Sequence, residues 1–427
     1  MVLGSGHIWL MIKLMFFNKV QNLLSLPRMK FFFPRQNRCL QGPRKRGNPF
    51  LPVTLMVLMV VLLAGCDVVR ILWWNSTDLD DYKKFPNAVV LPANKISGEQ
   101  FHFAASNELL PSKGFLTGGD SLSFQDFMDV TGTVAWLVLH NDTLRTEYYA
   151  DGWDQHSLLT SFSVAKSFVG TLIGIAVGEG FIQSVDQPVT DFVAGLTDTN
   201  FRHITLRHLL NMRSGIDFEE GYHSLFSPMP RLYYGRRTTR QVQNLRIAHP
   251  AGLSYQYQSV CTQLLSMSLE KATGMSVAAY LSVKLWQPLG MESEARWSRA
   301  SRLDTTIKSF CCLNAVGRDY LRFGRLWMNH GQWGSLQVIP KWYVVETLSD
   351  TLDSKDSRGY AYSHQWRILP DGSMFAKGVM GQYIWVNPQL RLVIVRFGNG
   401  EAGLDWARIF RQAESYYSSP SSSKKRL

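Results

Sequence analysis

Ser163 and Lys166 are three residues apart at the start of a long apolar stretch, residues 168–177. On a helix, positions i and i+3 share a face, so the Lys166 amine can reach the Ser163 hydroxyl. A serine hydroxyl becomes a nucleophile when a base takes its proton, and a lysine can be that base when burial and nearby cations lower its pKa. An apolar helix in a core supplies the burial, and the helix N-terminus adds positive potential. The pair therefore predicts an activated serine.

The spacing Ser-x-x-Lys is weak evidence alone, because Ser268 with Lys271 and Ser421 with Lys424 match it too. The flanking sequence of residues 161–167 favours Ser163. It resembles the nucleophile motif of the serine β-lactamase and penicillin-binding-protein superfamily. Within that group the resemblance is to the class C-like branch, which includes family VIII carboxylesterases and 6-aminohexanoate-dimer hydrolase. It implies a β-lactamase/transpeptidase-like α/β (α+β) fold, with an antiparallel sheet flanked by helices and a helical sub-domain.

Tyr257 lies in the segment 250–259, which resembles the Tyr-x-Asn motif of the class C-like enzymes. The resemblance implies that its phenol lies beside the nucleophile and passes the proton to the leaving group. A tyrosine needs a cationic neighbour to act as a base near neutral pH, and Lys166 would supply it. Ser259 occupies the position where the motif most often has Asn, and its shorter side chain disfavours recognition of a β-lactam amide. Tyr255 fits an aromatic core residue better.

A third motif is degenerate. The family carries Lys-Thr-Gly on a strand lining the site, and residues 376–378, Ala-Lys-Gly, are the matching place. Gly378 lets the backbone approach a substrate closely, and the resemblance implies that the N–H groups of Ser163 and Val379 form the oxyanion hole. The family's Lys and Thr bind the carboxylate of a penicillin. Because this chain lacks that pair, the sequence disfavours penicillins as substrates.

Tyr222 is a candidate substrate contact by analogy with the amide hydrolases, and the alternative is an ordinary surface aromatic residue.

The net charge of +12 arises at the two ends of the chain. Residues 1–66 hold nine Lys/Arg and no acidic residue, and the C-terminus ends in Lys-Lys-Arg-Leu, so the body is close to neutral. This distribution gives no support for nucleic-acid binding. A basic flank at 44–46 precedes a charge-free apolar run at 50–63, which is the arrangement of an export signal.

The apolar run ends in Leu-Ala-Gly-Cys66, which resembles the lipobox of bacterial lipoproteins, whose cysteine is lipidated. We favour this interpretation over an uncleaved anchor, for which the charge-free span from Gly47 to Cys66 is about long enough. Either predicts attachment to the bacterial inner membrane with the catalytic domain in the periplasm.

The chain is predicted to comprise four parts: a signal, lipoprotein or anchor segment (1–66), a tether and lead-in (67–100), the hydrolase domain (101–417) and a disordered polar tail (418–427). Hairpins are predicted around Asn141-Asp142 and Asn387-Pro388. Helices are predicted at 204–215 (capped and ending in Gly215), 262–272, 317–327 and 406–410.

The five cysteines show neither a metal spacing nor a disulfide framework, and we expect the adjacent Cys311 and Cys312 to be buried thiols. No metal or organic cofactor is predicted. The histidines suggest no competing triad, since the chain has no Gly-x-Ser-x-Gly sequence, and His203 and His208 are expected to be structural.

These features predict a serine hydrolase that cleaves a small ester or amide through a covalent acyl-Ser163 intermediate, with Lys166 and Tyr257 transferring protons. One alternative is a β-lactamase or DD-peptidase acting on cell-wall peptides. Another is a membrane-tethered binding protein without turnover. The sequence does not indicate an oligomeric state.

Overall fold

The computed structural model describes residues 67–74, 77–93, 103–106, 115–117, 120–221, 227–349 and 354–418. The helices are α1 Asp67–Trp74, α2 Phe124–Val130, α3 Ala165–Gly178, α4 Leu206–Leu210, α5 Pro228–Tyr234, α6 Thr238–Gln243, α7 Ser259–Thr273, α8 Val277–Leu281, α9 Gly317–Met328, α10 Lys341–Ser349 and α11 Trp406–Ser418. The strands are β1 Asn87–Val90, β2 Ala104–Ala105, β3 Phe115–Thr117, β4 Asp120–Leu122, β5 Thr133–His140, β6 Thr143–Tyr149, β7 Leu159–Thr160, β8 Ala295–Ser298, β9 Leu313–Ala315, β10 Gln332–Trp333, β11 Leu336–Gln337, β12 Ala361–Ser363, β13 Trp366–Ile368, β14 Met374–Gly378, β15 Gln382–Asn387 and β16 Leu392–Gly398.

The main sheet combines strands from both ends of the folded body, in the order β12-β13-β14-β15-β16-β5-β6-β2. Its neighbours are antiparallel except for the short parallel pair β2–β6. Both predicted hairpins are confirmed, as β5–β6 and β15–β16. Asn141 and Asp142 have φ values of 50° and 58°, which suit a tight hairpin turn. The sheet with its flanking helices confirms the predicted fold class.

Strand β5 is buried along nearly its whole length because helices cover both faces of the sheet. Trp136 and Ile394 face α11, where the Trp136 ring stacks on Phe410 at a centroid distance of 5.8 Å. Leu137 and Val393 point to the opposite face and join the core that contains α3 and α9. The alternation of side chains along each strand thus divides the core into two layers.

A second sheet, of order β1-β8-β9-β7, lies outside the predicted scheme. Its strands are antiparallel, and β7 leads directly into the segment that carries Ser163. Strand β1 and helix α1 belong to the region predicted as a tether and lead-in.

The helix predicted for residues 204–215 is shorter than expected. Helix α4 ends at Leu210, and Met212 has a φ of 56°, so the prediction that the helix ends in Gly215 was wrong. The predicted cap is confirmed: the Thr205 hydroxyl accepts from the His208 N–H, and the His208 ring accepts from the Thr205 N–H. His208 thus has the structural role expected for it.

The other predicted helices are confirmed as α7, α9 and α11, with α7 and α11 longer than predicted. Among the residues that the structure describes, no helix is both long enough and apolar enough to cross a bilayer. The apolar run 50–63 and Cys66 lie outside the described residues, as does all but the first residue of the predicted polar tail.

Lys308 is a fully buried lysine whose Nζ donates to the carbonyls of Leu232 (3.0 Å) and Gly235 (3.4 Å). Burial, with a smaller contribution from Arg70, lowers its pKa from 10.5 to about 7. Between these two values the unfolded chain binds more protons than the folded protein, so stability should rise with pH.

We therefore expect the free energy of unfolding to gain about 2 kcal/mol from Lys308 between pH 7 and pH 9. Unfolding in guanidinium measures the free energy of unfolding of wild type and of Lys308→Met at pH 7 and at pH 9. The change between the two pH values in wild type, minus the change in the variant, gives the contribution of Lys308. Equal pH dependences in the two proteins would contradict the prediction.

Candidate active site

Ser163 lies in a 3₁₀ turn, Phe162–Val164, between β7 and α3. Ser161 fixes the turn to β9, because its N–H donates to the Leu313 carbonyl (2.8 Å) and its Oγ accepts from the Leu313 N–H (3.1 Å). Phe162 has a φ of 43°, a sparsely populated conformation for a bulky residue. Such strain concentrates at functional sites, where the surrounding structure maintains it.

Lys166 lies one turn along from Ser163, and its Nζ is 2.9 Å from the Ser163 Oγ. The amine also donates to the carbonyl of Phe310 (2.8 Å), and the side chain is 1% exposed. The twelve residues 165–176 of α3 are all buried, so the helix supplies the apolar surroundings expected from its sequence.

The competing Ser-x-x-Lys pair on α7 has a different environment. The Ser268 hydroxyl donates to the Leu264 carbonyl of its own helix, and Lys271 is exposed. Within the described residues this hydroxyl has no adjacent base, so it is not activated as a nucleophile. The pair Ser421–Lys424 lies outside the described residues.

Tyr257 lies beside the pair, in the loop before α7. The Lys166 Nζ is 5.0 Å from the centroid of its ring, and the Arg367 Cζ is 5.6 Å from the same centroid. Two cations therefore flank the ring. Sequence reasoning identified Lys166 but missed Arg367, which comes from β13 and belongs to no local motif.

Arg367 is itself held by Asp356, whose carboxylate accepts from Nε at 2.7 Å. Burial alone would lower the pKa of Arg367, but the neighbouring phenols, Tyr255 foremost, bring it above its ordinary value. The guanidinium is therefore a permanent positive charge in the site.

We expect Arg367→Met to lower kcat by roughly 10- to 100-fold, because it removes one of the two cations beside Tyr257. Arg367→Lys should recover part of the loss, since it restores charge without the planar fork. Steady-state kinetics, with thermal unfolding as the folding control, test this. A Met variant that is folded and fully active would contradict it.

Strand β14 ends against the nucleophile turn. A Cβ at Gly378 would lie 2.5 Å from the Ser161 carbonyl oxygen and 3.1 Å from the Ser163 nitrogen, so only glycine fits. Val379 follows at the cavity wall and is 41% exposed. The close approach is compatible with the predicted oxyanion pair of backbone N–H groups from Ser163 and Val379.

Ser259 is fully buried and is not among the residues that line the cavity. Its N–H donates to Glu220 Oε2 (2.7 Å) and its hydroxyl donates to Glu220 Oε1. Glu220 itself lines the cavity; burial raises its pKa, and the positive charge of Lys166 opposes that shift. The only sequence signal for Glu220 was its place in the loop 219–223. Tyr222, the other residue singled out in that loop, lies outside the described residues, as does Cys66.

These residues surround a cavity of about 290 Å³, suited to a small organic molecule. Its wall is formed by Phe162, Ser163, Glu220, Met229, Tyr233, Tyr257, Phe310, Cys311, Arg367, Lys377, Gly378, Val379 and Glu401. Lys377 pairs with Glu401 across 2.8 Å, and burial lowers the pKa of the lysine.

In the described part of the chain, no group of three or more His, Cys, Asp and Glu side chains could hold a metal ion.

The expectation that Cys311 and Cys312 are free thiols was wrong: the structure joins them in a disulfide. The chain turns sharply between Lys308 and β9, and Cys312 has a φ of 70°, which brings the two adjacent side chains together. Cys311 lies on the cavity wall next to Phe310, whose carbonyl binds Lys166. Cys261 is a buried free thiol.

Comparison with known proteins finds a matching family and similar proteins. A family model described as Beta-lactamase matches residues 123–415. The 6-aminohexanoate-dimer hydrolase of Paenarthrobacter ureafaciens is 28% identical over 298 residues, which cover 64% of this chain and 74% of that protein.

Solved structures have the same fold. A candidate 6-aminohexanoate-dimer hydrolase from Bacillus anthracis superposes with a TM-score of 0.68 at 22% identity, covering 78% of this chain and 91% of the other. EstCE1, a hydrolase with promiscuous acyltransferase activity, does so with a TM-score of 0.56 at 14% identity, covering 69% and 96%. Since the family match spans well over half of the chain and includes the nucleophile turn and its lysine, the protein belongs to the β-lactamase family of serine hydrolases.

Proposed function

We propose that the protein hydrolyses a small amide or ester through a covalent acyl intermediate on Ser163. The observation that carries the proposal is the 2.9 Å separation between Lys166 Nζ and Ser163 Oγ, at a cavity that Tyr257 also lines. A nucleophile within hydrogen-bond reach of a base, with a second proton carrier beside both, is the arrangement that acyl transfer requires.

In the first step the Ser163 Oγ attacks the carbonyl carbon of the substrate while Lys166 and Tyr257 take its proton. The negative charge on the carbonyl oxygen is stabilised by the N–H groups of Ser163 and Val379. When the carbon–nitrogen or carbon–oxygen bond breaks, the same groups return the proton to the leaving amine or alcohol. A water molecule then attacks the acyl-serine, and its proton passes along the same route to the Ser163 Oγ as the bond between the acyl carbon and Oγ breaks, which releases the acid and restores the free serine.

Linear amides are the first substrates to test, because the relative from Paenarthrobacter ureafaciens is named for hydrolysis of the 6-aminohexanoate dimer. The cavity supports this class, because its volume of about 290 Å³ has room for a short linear chain. Two contacts disfavour penicillins as substrates. Lys377 forms an ion pair with Glu401, so its charge is not available to a penicillin carboxylate, and the Ser259 hydroxyl donates to Glu220 instead of to a substrate amide.

The test is intact-mass analysis of the full chain after treatment with a fluorophosphonate probe, followed by a panel of short esters, linear amides including the 6-aminohexanoate dimer, and penicillins. We expect one adduct on wild type, none on Ser163→Ala and one on Ser268→Ala, the variant at the second Ser-x-x-Lys pair. Absence of an adduct on folded wild type would refute the proposal in favour of a binding protein. Rapid turnover of penicillins alone would favour the β-lactamase alternative.

We propose further that the N-terminal segment holds the hydrolase on the outer face of the bacterial inner membrane, by lipid on Cys66 or by an uncleaved anchor. The apolar run with its basic flank supports this location. Mass spectrometry of the mature N-terminus distinguishes the two: a lipidated N-terminal Cys66 supports the lipoprotein, and an intact residue-50 region supports the anchor.

A further inference from the structure

Two adjoining clefts near α1 are rich in arginine. One, of about 490 Å³, lies along α5 and α6, and the other, of about 890 Å³, lies between α1 and the loop 299–306. Asp67, the first residue of α1, and Arg237 line both clefts, so the clefts adjoin. Their walls together carry seven arginines against three aspartates. We call the walls of these two clefts, with Trp73 and Leu303, the arginine face.

The positive charge of the arginine face is poorly balanced by the protein itself. Within the described residues, Arg231, Arg237, Arg240 and Arg302 are exposed and form no ion pair with a carboxylate. Two of the three aspartates are already engaged by backbone groups: Asp67 accepts from the Arg236 N–H, and Asp304 accepts from the Thr239 N–H. The face therefore presents excess cations to whatever it meets.

Part of this charge is held at an electrostatic cost. Burial, and next the neighbouring Arg236, lower the pKa of Arg70 to about 10. Arg70 stacks over the Trp74 ring at 4.4 Å, which keeps the guanidinium in the second cleft. An anionic surface placed against the clefts would relieve the repulsion between these two arginines.

Exposed apolar side chains lie on or next to these walls. Leu303, on the wall of the second cleft beside Arg302, is 100% exposed, and Trp73, which precedes the wall residue Trp74 on α1, is 70% exposed. Tryptophan and leucine among arginines are the composition of surfaces that lie at the boundary between lipid headgroups and acyl chains. A soluble ligand of phosphate size would use the arginines but not Leu303 or Trp73.

The sequence places this face near a bilayer. The charge-free apolar run ends at residue 63, and α1 begins at Asp67. A chain extends by at most about 3.5 Å per residue, so α1 starts within about 15 Å of the end of the run. If the run or the lipid on Cys66 lies in the membrane, as proposed above, the arginine face cannot be far from the lipid headgroups.

We propose that the arginine face docks on the anionic lipid surface of the membrane that holds the N-terminal segment. The inference rests on the proposed membrane attachment and adds an orientation to it: the hydrolase lies against the bilayer through α1, α5, α6 and the loop 299–306. Attraction between basic side chains and anionic headgroups falls off within a Debye length, so docking requires low to moderate salt.

The test uses the full chain in nanodiscs of phosphatidylcholine, with or without phosphatidylglycerol, and hydrogen–deuterium exchange of the peptides covering 228–246 and 299–306. We expect exchange in these peptides to be at least about threefold slower in the anionic discs, and the difference to vanish at high salt. Arg237→Glu with Arg240→Glu should abolish it. Lys341→Glu with Arg408→Glu, which makes the same charge change at exposed sites on α10 and α11, should retain it.

Equal exchange in both kinds of disc, in protein that stays with the discs, would overturn the docking while leaving membrane attachment intact. Protein that does not remain with either disc would reject the attachment and the docking together. Protection by inorganic phosphate in phosphatidylcholine discs, without an effect of anionic lipid, would assign the clefts to a free anion and overturn the proposal. Fluorophosphonate labelling of both double variants verifies that they are folded, and it tests the hydrolase function separately.

Discussion

Ser163→Ala should lower kcat/KM for the best substrate by about 10⁴- to 10⁶-fold while the protein remains folded. The hydroxyl is the only group in the proposed mechanism that bonds covalently to the substrate, so the other residues cannot compensate for its loss. Its removal should have little effect on folding, because the side chain borders a cavity and its nearest polar neighbour, Lys166, keeps the Phe310 carbonyl as an acceptor. Single-turnover and steady-state kinetics on purified protein measure the loss.

The second Ser-x-x-Lys pair provides the matched control. Ser268→Ala removes a hydroxyl from the same four-residue pattern, but in the described part of the chain this hydroxyl donates only to the Leu264 carbonyl of its own helix. We expect kcat/KM to stay within about twofold of wild type, with a stability loss of about 1 kcal/mol from the lost hydrogen bond. If Ser163→Ala kept turnover, or if Ser268→Ala lost it, the assignment of the nucleophile would be wrong.

Tyr257→Phe should lower kcat by about 10²- to 10⁴-fold, the range expected for loss of a proton-transfer group. The phenyl ring would keep its contacts with Tyr362 and with the cations of Lys166 and Arg367, so the cavity shape is retained. Only the oxygen that carries the proton is removed. The effect should appear in kcat more than in KM, because the oxygen acts on the reacting groups rather than on binding.

Tyr255→Phe is the control for this variant. Its phenol lies two residues away in the same loop, and it is buried without a hydrogen-bond partner among the residues that the structure describes. Removing an unsatisfied buried hydroxyl should leave activity unchanged and stability equal or higher. Equal activity losses in the two tyrosine variants would indicate a general effect on the loop and would contradict a proton-transfer role for Tyr257.

The segment 308–312 makes contacts that its residue types do not predict. Lys308 is buried against two carbonyls, Phe310 offers its carbonyl to Lys166, and Cys311 reaches the cavity wall in a disulfide with Cys312. Backbone carbonyls therefore link this segment to α5 on one side and to the catalytic lysine on the other. Backbone acceptors leave no trace in side-chain patterns, so they cannot be predicted from residue types.

The sequence alone predicted the features that depend on neighbouring residues, namely turns, hairpins, several helices and the spacing of the nucleophile motif. The i, i+3 spacing of Ser163 and Lys166, the β5–β6 and β15–β16 hairpins and the helices α7, α9 and α11 all depend on the geometry of a few consecutive residues. Helix and strand periods and turn residues encode that geometry directly. Resemblance to a known motif added the order of the three site segments and hence the fold class.

The tertiary structure decided which charges surround the site. Arg367 beside Tyr257, Glu220 bound to Ser259 and Glu401 paired with Lys377 are contacts between residues far apart in the chain, and no local pattern predicts them. It also distinguished the environments of the two Ser-x-x-Lys pairs, ended α4 before Gly215 and joined Cys311 to Cys312. In each case the outcome depends on which distant segments pack together, because burial and electrostatic surroundings are properties of the folded chain and not of its neighbouring residues.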